Sequence, residues 1–181
     1  MTSLTTMHEN DDLWIFGYGS LMWRPDFPFL ESRPARLFGY HRALCIISAD
    51  HRGTPERPGL VVGLDRGGSC LGRAYRVAPS EKAAVIDYLD DRELPTEAYV
   101  AAARGVHLSG RQVTARCYVV DTSHPKYAGK LPLDEQVRII TAAAPGKSGI
   151  NADYVENLVV HLDDLGITGG PLHQVWEMLR R

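Results

Sequence analysis

The chain has 181 residues, 44% hydrophobic and 23% charged, a composition typical of a globular protein large enough to form one core. Its net charge of −2 argues against nucleic acid or an anionic membrane surface as a partner. No apolar run approaches the roughly 18 residues of a transmembrane helix, so no membrane span is predicted.

The amino terminus, MTSLTTMHENDD, is polar and acidic and lacks the basic and apolar regions of a signal peptide. We interpret residues 1–12 as a disordered lead and residues 13–181 as a single domain. The three cysteines are widely separated and lie in apolar contexts, which is typical of core thiols in a reducing compartment rather than of a disulfide framework. These features together predict a cytoplasmic protein.

The stretch WIFGYGSLMW, residues 14–23, begins like a buried strand and is then interrupted by two glycines. Gly17 and Gly19 free the backbone either for a tight turn or for close approach to a ligand oxygen. The residues of this stretch alone leave both interpretations open.

Further strands are predicted over residues 35–48, 59–65 and 70–77, separated by turns rich in Gly, Pro and Asp. A hairpin is predicted from residues 98–108 and 111–121, which flank Ser109 and Gly110. Helical patterns occupy residues 80–93, 132–144, 151–166 and 171–181, with Ser80 and Asn151 as predicted N-caps. This order favours an α+β fold with an antiparallel, barrel-like sheet.

Common chemical motifs are absent from the sequence. PGKSG at residues 145–149 has Thr141 where a P-loop needs its first glycine, so a turn between helices is the better interpretation. Ser20 lies outside a G-x-S-x-G elbow, and the histidines and cysteines show no metal-ligand spacing. The sequence therefore predicts neither a metal site nor a cofactor.

An acidic segment, YLDDREL at residues 88–94, ends the first predicted helix. Asp90, Asp91 and Glu93 lie where the helix dipole disfavours negative charge. One interpretation is a solvated acidic face balanced by Arg92. The other is that Glu93 projects into a pocket, where desolvation raises its pKa and suits it to proton transfer.

Taken together, FGYGSLMW, DHRG, YLDDRE and HPKYAG resemble the ChaC-type γ-glutamylcyclotransferases, the glutathione-degrading branch of that superfamily. The likeness runs from about Leu13 to the last helix. It implies a small, mostly antiparallel β-barrel flanked by helices, and an enzyme that converts glutathione into 5-oxoproline and Cys-Gly without metal or cofactor. It maps the catalytic acid/base onto Glu93. The substrate-binding residues that we predict are Ile15, Phe16, Gly17, Tyr18, Gly19, Ser20, Leu21, Arg52 and Tyr127.

Several alternatives stay open at this stage. LPTEAYV replaces a Gly-Tyr turn of the family, so Tyr99 is a displaced equivalent and Glu97 competes with Glu93 as the base. Arg52 either contacts the glycine end of glutathione or pairs with Asp50 inside its own turn. Another γ-glutamyl amide as substrate, or a non-catalytic binder of γ-glutamyl compounds, are the rival functions. The composition is compatible with a monomer.

Overall fold

The computed structural model describes residues 12–181. The predicted lead thus lies outside the described residues except for Asp12. The carboxylate of Asp12 accepts a hydrogen bond of 2.8 Å from Arg76 Nη1, which ties this end of the described chain to the sheet.

Five strands close into a barrel in the order β1-β3-β2-β4-β5. Four of the five pairings are antiparallel, and β1 closes the barrel by pairing in parallel with β5 at Trp14 and Ile15. The prediction of a mostly antiparallel barrel in an α+β fold is therefore confirmed, with a mixed sheet. The strands are β1 (Leu13–Gly17), β2 (Glu31–Ser48), β3 (Gly59–Val77), β4 (Tyr99–Leu108) and β5 (Arg111–Val120).

A long hairpin of β2 and β3 dominates the sheet, and here the predicted strand break is wrong. Residues 59–65 and 70–77 belong to one continuous strand. Gly67 and Gly68 have φ of 98° and 68° and stand near Gly39, at 86°, where the pairing register skips between Phe38 and Tyr40. The glycines therefore make an irregularity that bends the hairpin rather than a turn that ends it.

Four α-helices follow the predicted positions closely: α1 (Lys82–Glu93), α2 (Leu133–Ala142), α3 (Asn151–Asp164) and α4 (Pro171–Leu179). Neither predicted N-cap is correct. Ser80 lies in a 3₁₀ turn that precedes α1, and Asn151 is the first residue of α3. The side chain of Asn151 bonds the β3 backbone instead of its own helix, donating to the Leu60 carbonyl at 2.9 Å and accepting from the Leu60 N–H at 2.8 Å.

Strand β1 is buried along its whole length, and its alternate residues join two different core clusters. Trp14 and Phe16 belong to the cluster that reaches α2, α3 and α4. Leu13 and Ile15 belong to the cluster that reaches α1. The end of β1 is thereby fixed between helices on both sides. Among the described residues, no helix has the length and apolar character needed to cross a membrane.

Candidate active site

A cavity of about 320 Å³ opens where the end of β1 meets the turn end of the long hairpin, the end of α1 and the start of α3. Its wall includes residues 18–21, residues 46–52, Glu93 and Tyr154. Segments far apart in the sequence therefore meet at one site.

Gly17 ends β1 and Gly19 follows it in the loop, and the two glycines have different surroundings. A Cβ on Gly17 would lie 3.0 Å from Leu21 Cβ and 3.3 Å from the Tyr75 ring, so Gly17 allows the chain to fold back tightly. Gly19 lines the cavity, and having no side chain it contributes its backbone to the wall. Gly17 therefore permits the tight turn, whereas Gly19 leaves its backbone open to the approach of a ligand.

The loop is held by hydrogen bonds to its backbone and side chains. The Tyr18 hydroxyl donates to the Tyr118 carbonyl at 2.7 Å, and Arg42 donates to the Tyr18 carbonyl. The Tyr75 hydroxyl donates to the Leu21 carbonyl at 2.6 Å. These bonds fix the segment before any ligand arrives, which reduces the free energy spent on ordering it.

Arg92 joins this loop to the end of α1. Its guanidinium donates to Ser20 Oγ at 2.9 Å and to the Arg24 carbonyl at 2.7 Å. Its Nε lies 3.4 Å from Glu93 Oε1. One side chain therefore sets the position of the loop relative to the carboxylate of Glu93.

Glu93 faces the cavity with only 18% of its side chain exposed. Burial raises the pKa of its carboxyl above the ordinary 4.5, and the charge of Arg92 lowers it by a smaller amount. A carboxyl group in this environment accepts and returns protons closer to neutral pH than an exposed one does.

The raised pKa of Glu93 predicts a pH-dependent stability difference. The folded chain binds this proton more tightly than the unfolded chain, so the contribution favours folding at low pH and is lost as the pH rises from 4.5 through the raised folded pKa. We expect Glu93→Gln to have a higher urea midpoint than wild type at pH 7.5, and the difference to shrink towards pH 5. A difference that is constant with pH would show that Glu93 titrates alike in both states.

The competing carboxylate, Glu97, points away from the cavity. Its side chain is 82% exposed and lies 3.8 Å from His124 Nε2. Glu97 takes a left-handed conformation at φ 58°, after the 3₁₀ turn that follows α1. The neighbouring Tyr99 does line the cavity, and its hydroxyl donates to the Val62 carbonyl at 2.7 Å.

The DHRG loop, residues 50–53, is shaped by the segment that imitates a P-loop. Lys147 donates from its backbone to the Asp50 carbonyl at 2.8 Å and pairs with the Asp50 carboxylate at 2.8 Å. His51 Nδ1 lies 3.0 Å from Ser148 Oγ. Residues 145–149 therefore hold this loop in place through hydrogen bonds and an ion pair. The Asp50 carboxylate pairs with Lys147 and not with Arg52.

The structure brings most of the predicted site residues together, and the remainder lie elsewhere. Tyr18, Gly19, Ser20, Leu21, Arg52 and Glu93 line the cavity. Ile15 and Phe16 are fully buried in the two core clusters, and Gly17 packs beneath Leu21. The Tyr127 hydroxyl donates to Asp65 Oδ2 at 2.8 Å, outside the cavity wall. Strand alternation directs Ile15 and Phe16 to opposite faces of the sheet, and the Tyr127 hydroxyl is engaged by Asp65. Substrate contact by these three residues therefore stays a prediction.

Several cavity residues escaped the sequence reasoning. Tyr154 lies on α3, and its hydroxyl accepts from the Val62 N–H at 3.1 Å on the cavity wall. Ser148 lay in a segment read as a turn, and Lys126 adjoins the predicted Tyr127. Because each is brought in by a distant element, no local spacing could have indicated it. Within residues 12–181, no three His, Cys, Asp or Glu side chains converge in an arrangement suited to a metal ion.

Comparison with known proteins assigns the family. Residues 13–180 match the family described as ChaC-like protein. The chain is 35% identical over 177 residues to "Glutathione-specific gamma-glutamylcyclotransferase" of Escherichia coli (strain K12), covering 96% of this chain and 75% of that protein. It is 36% identical over 151 residues to "Glutathione-specific gamma-glutamylcyclotransferase 1" of Mus musculus, covering 81% of this chain and 67% of that protein.

A solved structure shares the fold. The selenomethionine-labelled yeast γ-glutamyl cyclotransferase specific to glutathione superimposes with a TM-score of 0.86 at 24% identity, covering 94% of this chain and 96% of that one. The barrel and its helices are thus those of a known architecture. By its sequence match over nearly its whole length, the chain belongs to the ChaC-like family.

Proposed function

We propose that the protein is a γ-glutamylcyclotransferase that converts glutathione into 5-oxoproline and Cys-Gly. The observation that carries the proposal is the buried carboxylate of Glu93, which faces the same cavity as the backbone of Gly19. The names of the relatives in Escherichia coli and mouse support glutathione as the substrate.

The reaction uses the substrate's own nucleophile. Glu93 takes a proton from the α-ammonium group, and the freed nitrogen attacks the γ-carbonyl carbon to close a five-membered ring. The bond from that carbon to the cysteine nitrogen then breaks, and Glu93 returns a proton to the departing amine. From ammonium to ring amide the attacking nitrogen loses two protons, and from amide to ammonium the departing nitrogen gains two. The new ring C–N bond replaces the broken one, so no water is consumed.

Holding the substrate in a ring-closing shape supplies a large part of the rate. Well-oriented intramolecular reactions gain roughly 7–11 kcal/mol from proximity. In the proposed complex the γ-glutamyl group lies along residues 18–21, where the backbone of Gly19 and the hydroxyl of Ser20 face it. Arg92 holds Ser20 and Glu93 at a fixed spacing, so the proton acceptor and the binding loop act as one unit.

The tyrosines around Glu93 provide a low-dielectric wall. Burial raises the pKa of Tyr18, Tyr99 and Tyr154, so all three stay neutral at physiological pH. The hydroxyls of Tyr18 and Tyr99 donate to backbone carbonyls. Tyr154 accepts from the Val62 N–H, which leaves its own hydrogen to donate to a ligand. An electrostatic interaction with the developing oxyanion is stronger in such surroundings than in water.

The proposal includes a reducing, cytoplasmic setting. Cys45, Cys70 and Cys117 are separate, buried free thiols. Burial raises the pKa of Cys45 and Cys117 to about 12, which keeps these two thiols protonated and unreactive at neutral pH.

The test is to incubate the purified protein with glutathione and to quantify 5-oxoproline, Cys-Gly and glutamate. We expect 5-oxoproline and Cys-Gly in equal amounts, with no glutamate. Release of glutamate would indicate attack by water and contradict the cyclisation. Saturable binding of glutathione without products would support the non-catalytic binder instead.

A further inference from the structure

The acidic segment at the end of α1 holds a second engaged carboxylate, that of Asp90. Its Oδ1 accepts hydrogen bonds from the Tyr118 hydroxyl at 2.7 Å and from Arg116 Nη2 at 2.6 Å. Arg116 Nε also donates to the Tyr118 hydroxyl at 3.0 Å, so the three side chains form a closed triangle. Asp90 is thus bonded to two alternate residues of β5, whereas its neighbour Asp91 is exposed.

The carboxylate of Asp90 stays charged in this triangle. Burial raises the pKa of its carboxyl, but the hydrogen bonds from Arg116 and Tyr118 outweigh burial and bring the pKa below the ordinary 3.8. Hydrogen bonds to an ionised group are shorter and stronger than those between neutral groups. The triangle therefore attaches α1 to β5 through bonds that are partly shielded from water, since the side chains of Asp90 and Arg116 are 31% and 25% exposed.

Tyr118 connects this attachment to the candidate active site. The residue is 1% exposed and belongs to the cavity wall. Its hydroxyl donates to Asp90, while its carbonyl accepts from the Tyr18 hydroxyl at 2.7 Å. Strand β5 is itself held in the barrel by pairing with β4 and β1. One residue of the barrel therefore contacts both the loop after β1 and the helix that carries Glu93.

Asp90 and Glu93 both lie in the last turn of α1, three residues apart. Three residues nearly complete a helical turn, so a movement of α1 at Asp90 carries Glu93 with it. Arg92 links the same turn to the loop after β1. That loop has further bonds that do not involve α1, because Arg42 and Tyr75 donate to its carbonyls. Loss of the Asp90 bonds therefore loosens the carboxylate of Glu93 more than it loosens the loop.

We propose that Asp90 is a positioning residue, which acts through Tyr118 to fix the carboxylate of Glu93 within reach of the reacting nitrogen atoms. The inference rests on the proposed function and adds a residue to its machinery. Asp90 lies outside the cavity wall and acts on Glu93 through geometry. Proton transfer requires a heavy-atom separation of about 2.6–3.2 Å. A misplacement of about 1 Å can cost up to about 10²-fold in rate.

The experiment replaces Asp90 by Ala and measures kcat and KM for glutathione from the formation of 5-oxoproline. We expect kcat to fall by about 10- to 100-fold with little change in KM, because proton transfer loses its geometry while the loop keeps its own bonds. Alanine is a strong helix former, so α1 should persist. Circular dichroism and thermal unfolding verify that each variant is fully folded at the assay temperature. Asp91→Ala removes the same charge from the adjacent exposed position and should keep the wild-type kcat.

Tyr118→Phe tests the connection without changing a charge. It removes the hydroxyl but retains the ring and the carbonyl that Tyr18 uses. We expect a smaller loss of kcat, about 3- to 30-fold, because Asp90 keeps its bond to Arg116. The double variant should be no slower than Asp90→Ala alone, because both substitutions break the same connection.

Each outcome decides the inference. A wild-type kcat in folded Asp90→Ala, or a raised KM at unchanged kcat, would overturn it and leave the proposed function standing. An equal loss in Asp91→Ala would assign the effect to the charge of the helix end, and losses that multiply in the double variant would show that Asp90 does not act through Tyr118. If Asp90→Ala does not fold, a wild-type kcat in Tyr118→Phe overturns the inference. A wild-type protein that forms no 5-oxoproline would overturn both the inference and the proposed function.

Discussion

Replacing Glu93 by Gln is expected to lower kcat/KM for glutathione by about 10²- to 10⁴-fold while the fold is retained. The amide keeps the size of the side chain but accepts no proton from the α-ammonium group. The same carboxylate also returns the proton to the departing amine, so the substitution removes the proton carrier from both transfers. The measurement is the rate of 5-oxoproline formation at pH 7.5, together with circular dichroism to verify folding.

Glu97→Gln is the matched control for this experiment. Glu97 lies four residues further along the chain, exposed and outside the cavity wall, so its substitution should leave turnover within a few-fold of wild type. If Glu97→Gln is inactive while Glu93→Gln remains active, Glu97 carries the proton and the assignment to Glu93 is wrong.

Replacing Asn151 by Leu is expected to destabilise the fold by about 2–4 kcal/mol, and to lower Tm by roughly 5–15 °C. Asn151 is 1% exposed, and its amide gives Leu60 both a donor and an acceptor, as a neighbouring strand would. Leucine fills a similar volume but leaves both buried backbone groups unpaired. Thermal and urea unfolding measure the loss.

Asn157→Leu provides the corresponding control on the same helix. Its side chain donates to the Asp153 carbonyl at 2.9 Å on the exposed surface, where water can replace the bond. Its stability should change by less than about 1 kcal/mol. Equal destabilisation by the two substitutions would show that the loss at Asn151 does not come from its bonds to Leu60, because leucine is the better helix former at both positions.

The elements whose periodicity is local were predictable from the sequence. The hairpin around Gly110 and the helices after residue 132 follow patterns of two and 3.6 residues, and they lie where those patterns place them. Gly67 and Gly68 misled the strand prediction, because the sequence alone does not distinguish a glycine bulge inside a long hairpin from a turn between two strands.

The candidate site was predictable only where one segment carries it. The loop at Tyr18–Leu21 and the carboxylate of Glu93 were found from short motifs and from resemblance. The N-cap predicted for Asn151 failed since its partner, Leu60, is 91 residues distant. Tyr154, Ser148 and Lys126 reach the cavity through packing of α3 and of two loops, and no spacing in the sequence reveals such meetings.

The central claim is that the buried carboxyl of Glu93 carries the proton, and its titration tests this most directly. Carboxyl ¹³C labelling of glutamate, with the Glu93 signal assigned by its loss in Glu93→Gln, gives the pKa of this group in the folded protein. We expect a value above 4.5 that coincides with the acid limb of the pH profile of kcat/KM. A Glu93 carboxyl that titrates at or below 4.5, or an acid limb at an unrelated pH, would contradict the account.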